Sequence, residues 1–114
     1  MTREEVEAIA LGLTATTKVV QWGESDVYKV GGKVFALCGG DGLAFKVSPV
    51  GFEVLTSDGL GRQAPYFAKG HWVSIPLDRI DREDAAGWLA TAHSLMAAKL
   101  TRKARAEFGL APKA

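Results

Sequence analysis

At 114 residues, with 47% hydrophobic and 24% charged side chains, the chain is long enough for one hydrophobic core and too apolar for wholesale disorder. Its single cysteine, Cys38, excludes an internal disulfide, and no run approaches the roughly 18 apolar residues that span a bilayer. A formal net charge of +1 excludes attraction of a polyanion by overall charge alone, yet residues 99–114 carry Lys99, Arg102, Lys103, Arg105 and Lys113 against Glu107, a net +4 on a body of −3.

The N-terminal MTREEVEAIA has acidic residues where a signal peptide needs a basic region followed by an apolar one, so the expected compartment is the cytoplasm. Thr2 and Glu5 make a capping box, and Val6, Ile9, Ala10 and Leu13 follow at helical spacing, so a first helix begins at the cap and weakens near Gly12. The β-branched Thr16, Thr17, Val19 and Val20 predict a strand over 16–22, turned at 23–26.

The stretch 27–47, VYKVGGKVFALCGGDGLAFKV, reads as three strands joined by two glycine turns. Gly31-Gly32 is a two-residue hairpin loop that tolerates positive φ, and Gly39-Gly40-Asp41-Gly42 reverses the chain again, with Leu43, Phe45 and Val47 sharing one face of the returning strand. Ser48-Pro49 then supplies a cap and a first helical residue, and Phe52, Val54 and Leu55 form the apolar side of a helix that Gly51 keeps short.

Residues 62–70 read as a loop, and HWVSIP as a last strand that Pro76 ends. Asp81 and Asp84 cap the longest helix, whose apolar stripe of Ala85, Trp88, Leu89, Ala92, Leu95 and Met96 is expected to run to Leu100. Thr101 caps a short helix over 102–108, closed by Gly109, with Pro112 barring continuation. The order αββββαβαα predicts a single α+β domain over residues 1–114: one antiparallel sheet of about five strands with helices on one face.

Lys29, Lys33 and Lys46 lie on the strands of the meander and have the charge that phosphate contacts require, although lysine is also the usual way to solvate an outer sheet face. Arg102, Lys103 and Arg105 extend the set, and the helix start at Thr101 adds amide donors. Tyr66, Phe67, Lys69, His71 and Trp72 mix aromatics with cations, a composition suited to stacking on a base or gripping an anion; Trp72 equally suits burial against a helix, with the Lys69 stem laid over it.

His71 and His93 are too few for zinc, and the helix dipole accounts for the early acids Glu4, Glu5 and Glu7, so no metal and no cofactor is expected. The serines stand in turns, caps and surface positions, and no helix directly follows GGDG to hold a phosphate, so no enzyme is expected. Cys38 reads as a strand-end filler rather than a reactive thiol.

The hairpin YKVGGKVFAL, the segment Lys69-Gly70-His71-Trp72 near Pro65-Tyr66, and HSLMAAKL over 93–100 followed by basic residues together resemble the MmcQ/YjbR family of small bacterial proteins across nearly the whole chain. The resemblance implies a frataxin-like (CyaY-like) fold and DNA binding through hairpins acting as a double wing. The two glycine turns would be the wing tips, and Lys69, Trp72 and the basic run after Leu100 match the family's pattern. Two positions depart from it: His93 stands in place of a tyrosine, and Thr101 in place of a proline before Arg102-Lys103, which alters how the basic helix is presented.

The DNA-binding candidates are therefore Lys29, Lys33, Lys46, Lys69, Lys99, Arg102, Lys103 and Arg105, and the ligand-binding candidates Tyr66, His71 and Trp72. The expected partner is DNA, with a protein-interaction or small-ligand module as the alternative, acting away from membranes as a monomer or weak homo-oligomer.

Overall fold

Four consecutive strands fold back on one another at their turns. The computed structural model describes residues 1–40 and 42–110; Asp41 of the second glycine turn and Pro112 lie outside them. Strands β1 (Thr16–Gln21), β2 (Ser25–Val30), β3 (Lys33–Gly39) and β4 (Gly42–Lys46) pair in sequence, each antiparallel to the one before. Gly31 and Gly32 adopt φ of 56° and 82°, the left-handed pair that a two-residue hairpin loop requires. A register shift at Tyr28/Lys29 marks a bulge in the hairpin.

Helix α1 (Arg3–Leu11) starts at the capping box: Thr2 Oγ1 accepts from the Glu5 N–H at 3.1 Å, and Glu5 Oε1 from the Thr2 N–H at 3.0 Å. Helix α2 (Pro49–Ser57), capped by Ser48 through the Gly51 N–H, carries the chain to β5 (Arg62–Gln63) and β6 (Trp72–Pro76). β6 pairs with β4 and β5 with β6, which gives one antiparallel sheet in the order β1-β2-β3-β4-β6-β5. The sheet thus has six strands rather than five: β5 lies in the segment expected to be loop, and two residues are too few to show an alternating pattern.

A short 3-10 turn leads to α3 (Arg82–Ala97), capped by Asp81 through the Asp84 N–H, and then to α4 (Arg102–Glu107). α3 ends three residues before the expected Leu100, although Leu100 is buried.

The core lies between one face of the sheet and the helices. Val6 and Ala10 of α1, with Ala85, Leu89, Ala92 and Ala97 of α3, meet Tyr28, Val30, Phe35, Cys38, Leu43, Phe45, Val73 and Ile75. The alanines let α3 approach closely, and Trp88 stacks on Phe45 with ring centroids 5.5 Å apart. His93 is buried in this layer: its Nε2–H donates to the Thr14 carbonyl at 2.7 Å, and its ring stands edge-on to Phe35.

The other face carries no helix in its core cluster; there Ala44, Ala64 and Trp72 are buried together under Val34 and Phe67. The register lays Val19, Val27, Leu37, Ala44, Ser74 and Arg62 across it as one row of cross-strand partners. Trp72 also belongs here rather than against a helix, because Val73 takes the core side and the side chains of a strand alternate. Only 7% exposed, Trp72 is covered by Phe67, whose ring stacks on it at 4.1 Å.

Candidate nucleic-acid interface and an open groove

Antiparallel register gathers cations from separate segments at one end of the sheet. β2 finishes and β3 begins at the Gly31-Gly32 turn, with Lys33 opening β3; Lys46, the last residue of β4, pairs with Trp72, the first of β6. The C-terminal segment after α3 reaches the same place, because Gly31 lies against Leu100 and Phe108. Half of the first glycine turn is therefore packed beneath the C-terminal segment rather than projecting as a free wing tip. Leu100 and Phe108 need apolar cover, and a residue without a side chain provides a flat seat for them. Gly32 remains exposed.

The electrostatics reflect this crowding. Burial first, and the charge of Lys99 second, hold the Lys46 ammonium below the usual lysine range. Lys29 and Lys33 are half-buried on their strands, while Lys69, Lys99, Arg102 and Lys103 are exposed. Arg105 has a structural task as well, since its Nη1 donates to the Ala97 carbonyl at 2.7 Å and so satisfies a last-turn carbonyl of α3. Thr101 Oγ1 accepts from the Ala104 N–H and caps α4 as the sequence implies. Asp81, Glu83 and Asp84 stand at the start of α3, 16 residues from this end of the molecule, and Asp26 pairs with Arg3 where β2 begins. Cations thus outnumber acids at the hairpin end, where Glu107 of α4 is the acid, while Arg79 and Arg82 stand among the acids at the start of α3.

A second feature lies on the outer face. A groove of about 920 Å³ has a floor of small residues, Gly39, Gly42, Ala44 and Ser74, flanked by Trp22 on one side and Pro65, Tyr66 and Phe67 on the other, with Arg62 beside Ser74. Gln63 fixes the loop that brings Tyr66 here: its Nε2 donates to the Ala64 and Phe67 carbonyls at 2.9 and 3.1 Å, and its Oε1 accepts from the Gly70 N–H at 2.9 Å. Trp22 and Tyr66 take φ of 48° and 68°, a left-handed conformation that is rare for an aromatic residue. Among the described residues no carboxylate lines the groove.

Of the ligand candidates, Tyr66 lines this groove, whereas Trp72 lies under Phe67 and exposed His71 precedes β6 without facing it. Trp22 and Arg62 were not foreseen. A tryptophan next to glycine at a chain reversal was the available sign for the first, because a turn offers no buried face; Arg62 gave none, standing in a segment read as loop.

Among the described residues no group of three or more His, Cys, Asp or Glu is arranged to hold a metal ion, and no helix is long and apolar enough to cross a membrane. Cys38 is buried, and that burial pushes its thiol up to about 11.

A family model described as YjbR matches residues 11–95. Among solved structures, the chain is similar to a Deinococcus radiodurans protein with a DUF419 domain, at a TM-score of 0.86 and 25% identity, covering 96% of this chain and 89% of that one. It is also similar in fold to a protein from Pseudomonas syringae, at a TM-score of 0.71 and 18% identity, covering 84% of this chain and 99% of the other. No curated protein matches it. The cations from Lys99 onward lie beyond the span that the family model matches.

Proposed function

The chain belongs to the YjbR family, and on that premise we propose that it is a non-catalytic DNA-binding protein that lays the basic end of its sheet on phosphates. The observation that carries the reading is that Lys33, Lys46, Lys99, Arg102 and Lys103, from β3, β4, the segment after α3 and α4, belong to elements that meet near one hairpin tip. A net charge of +1 is no obstacle, because a local field and not the total steers a polyanion. A phosphate bound near Lys46 and Lys99 favours the charged form of Lys46, which burial first and Lys99 second disfavour in the free protein.

Contacts of this kind position a nucleic acid without reading its sequence, so the affinity is expected to depend steeply on salt and weakly on base order. Retention of a DNA duplex at low salt, compared between the native chain and a variant neutral at Lys99, Arg102 and Lys103, tests the reading. Arg105 is left intact in that variant because it fastens the end of α3.

A further inference from the structure

We propose that the nucleic acid taken by this protein is single-stranded, with an unpaired base stacked in the outer-face groove between Trp22 and Tyr66; this rests on the reading above. Two bulky aromatics, one 60% exposed and the other fully exposed, face the same groove. Single exposed apolar residues need no explanation, but both of these are held at positive φ, where a side chain of this size is disfavoured, and such strain persists only where the surroundings enforce it. Ser25 Oγ donates to the Trp22 carbonyl at 3.3 Å on one side, and the Gln63 amide anchors the Tyr66 loop on the other.

The chemistry of the groove selects its occupant. Its floor of Gly39, Gly42, Ala44 and Ser74, with Leu37 beside Ala44, offers a flat ring a mostly small-residue surface, and Arg62, which makes no ion pair among the described residues, offers a cation. The groove and Lys46 lie on the same face, because Gly42, Ala44 and Lys46 share the outer side of β4 in two-residue steps of about 7 Å, with Phe67 and Trp72 packed against Ala44 on the way. A chain that stacks a base at Trp22 and Tyr66 can pass over Phe67 to reach the cations at Lys46. Aromatics and cations on an open sheet suit splayed bases, whereas a duplex keeps the faces of its bases stacked within itself.

The test is a fluorescence titration of the full chain with an eight-residue oligothymidylate, a duplex of equal length and thymidine monophosphate. The oligomer is expected to quench the tryptophan emission and to bind more tightly than the duplex. Trp22→Ala should abolish most of that quenching. Trp22→Ala and Tyr66→Ala should each weaken oligomer binding by at least about fivefold, with melting curves unchanged because both side chains are exposed.

Oligomer and duplex binding alike with the emission unmoved would overturn the inference and leave the phosphate reading standing. Monophosphate alone matching the oligomer in affinity would also overturn it, in favour of a small-ligand site. No binding of either polymer at low salt would remove the phosphate reading and this inference with it. Oligomer binding that quenches Trp22 yet ignores neutralisation of Lys99, Arg102 and Lys103 would support the groove and remove the basic end.

Discussion

Gly31 at the tip of the β2–β3 hairpin is seated directly under Leu100, so close that a Cβ built on it would come within 2.6 Å of Leu100 Cδ1. The same Cβ would meet Phe108 at 3.3 Å. One residue without a side chain thereby joins the hairpin to the segment between α3 and α4, and the cations of both arrive on one surface.

Gly31→Ala is expected to destabilise the fold by about 1–3 kcal/mol, from its left-handed φ and the displacement of Leu100. Gly32→Ala shares the positive φ but meets nothing within 4 Å, so it should cost only about 1 kcal/mol. Urea unfolding of the two variants separates the contact from the backbone cost, and equal losses would contradict the seat.

Tyr28 and His93 make a contrasting pair. The Tyr28 hydroxyl is buried without a hydrogen-bond partner among the described residues, so Tyr28→Phe should be neutral or stabilise by up to about 1 kcal/mol. His93→Phe, which leaves the Thr14 carbonyl without its donor, should cost about 1–3 kcal/mol. Thermal melts that rank the two the other way would show that the buried polar groups have been misassigned.

Cys38 predicts a pH effect whose sign follows from its raised thiol. The unfolded chain loses this proton near pH 9 and the folded chain only at about 11, so the contribution to stability is whole below pH 9 and fades as pH climbs through that window. Cys38→Ala should flatten the stability profile between those limits. In the native chain, reaction with a thiol reagent at pH 8 should run at the rate of unfolding; fast labelling of folded protein would place the thiol at the surface.

Features written into short stretches of the chain were legible without the structure. Thr2, Ser48, Asp81 and Thr101 cap helices as their spacing implies, because a cap depends on residues three positions apart. The hairpin at Gly31-Gly32 was legible for the same reason. What depends on register across the sheet was not: the groove takes Gly39 and Gly42 from one turn, Trp22 from another and Arg62 from an edge strand of two residues, and only six-strand pairing brings them together. The side chosen by Trp72 was hidden too, because an apolar residue beside another apolar residue, Val73, leaves the strand without a clear inner face. Packing of the turn against Leu100 spans some 70 residues of chain, beyond the reach of any local pattern.

The central claim, that the basic end engages phosphates, is tested most directly by the salt dependence of DNA binding. With Lys99, Arg102 and Lys103 changed together to Ala, the slope of log affinity against log salt for a duplex should fall by about 2.7 if each contacts one phosphate, with affinity at low salt reduced to match. An unchanged slope, or a native chain that binds no DNA even at low salt, would contradict it.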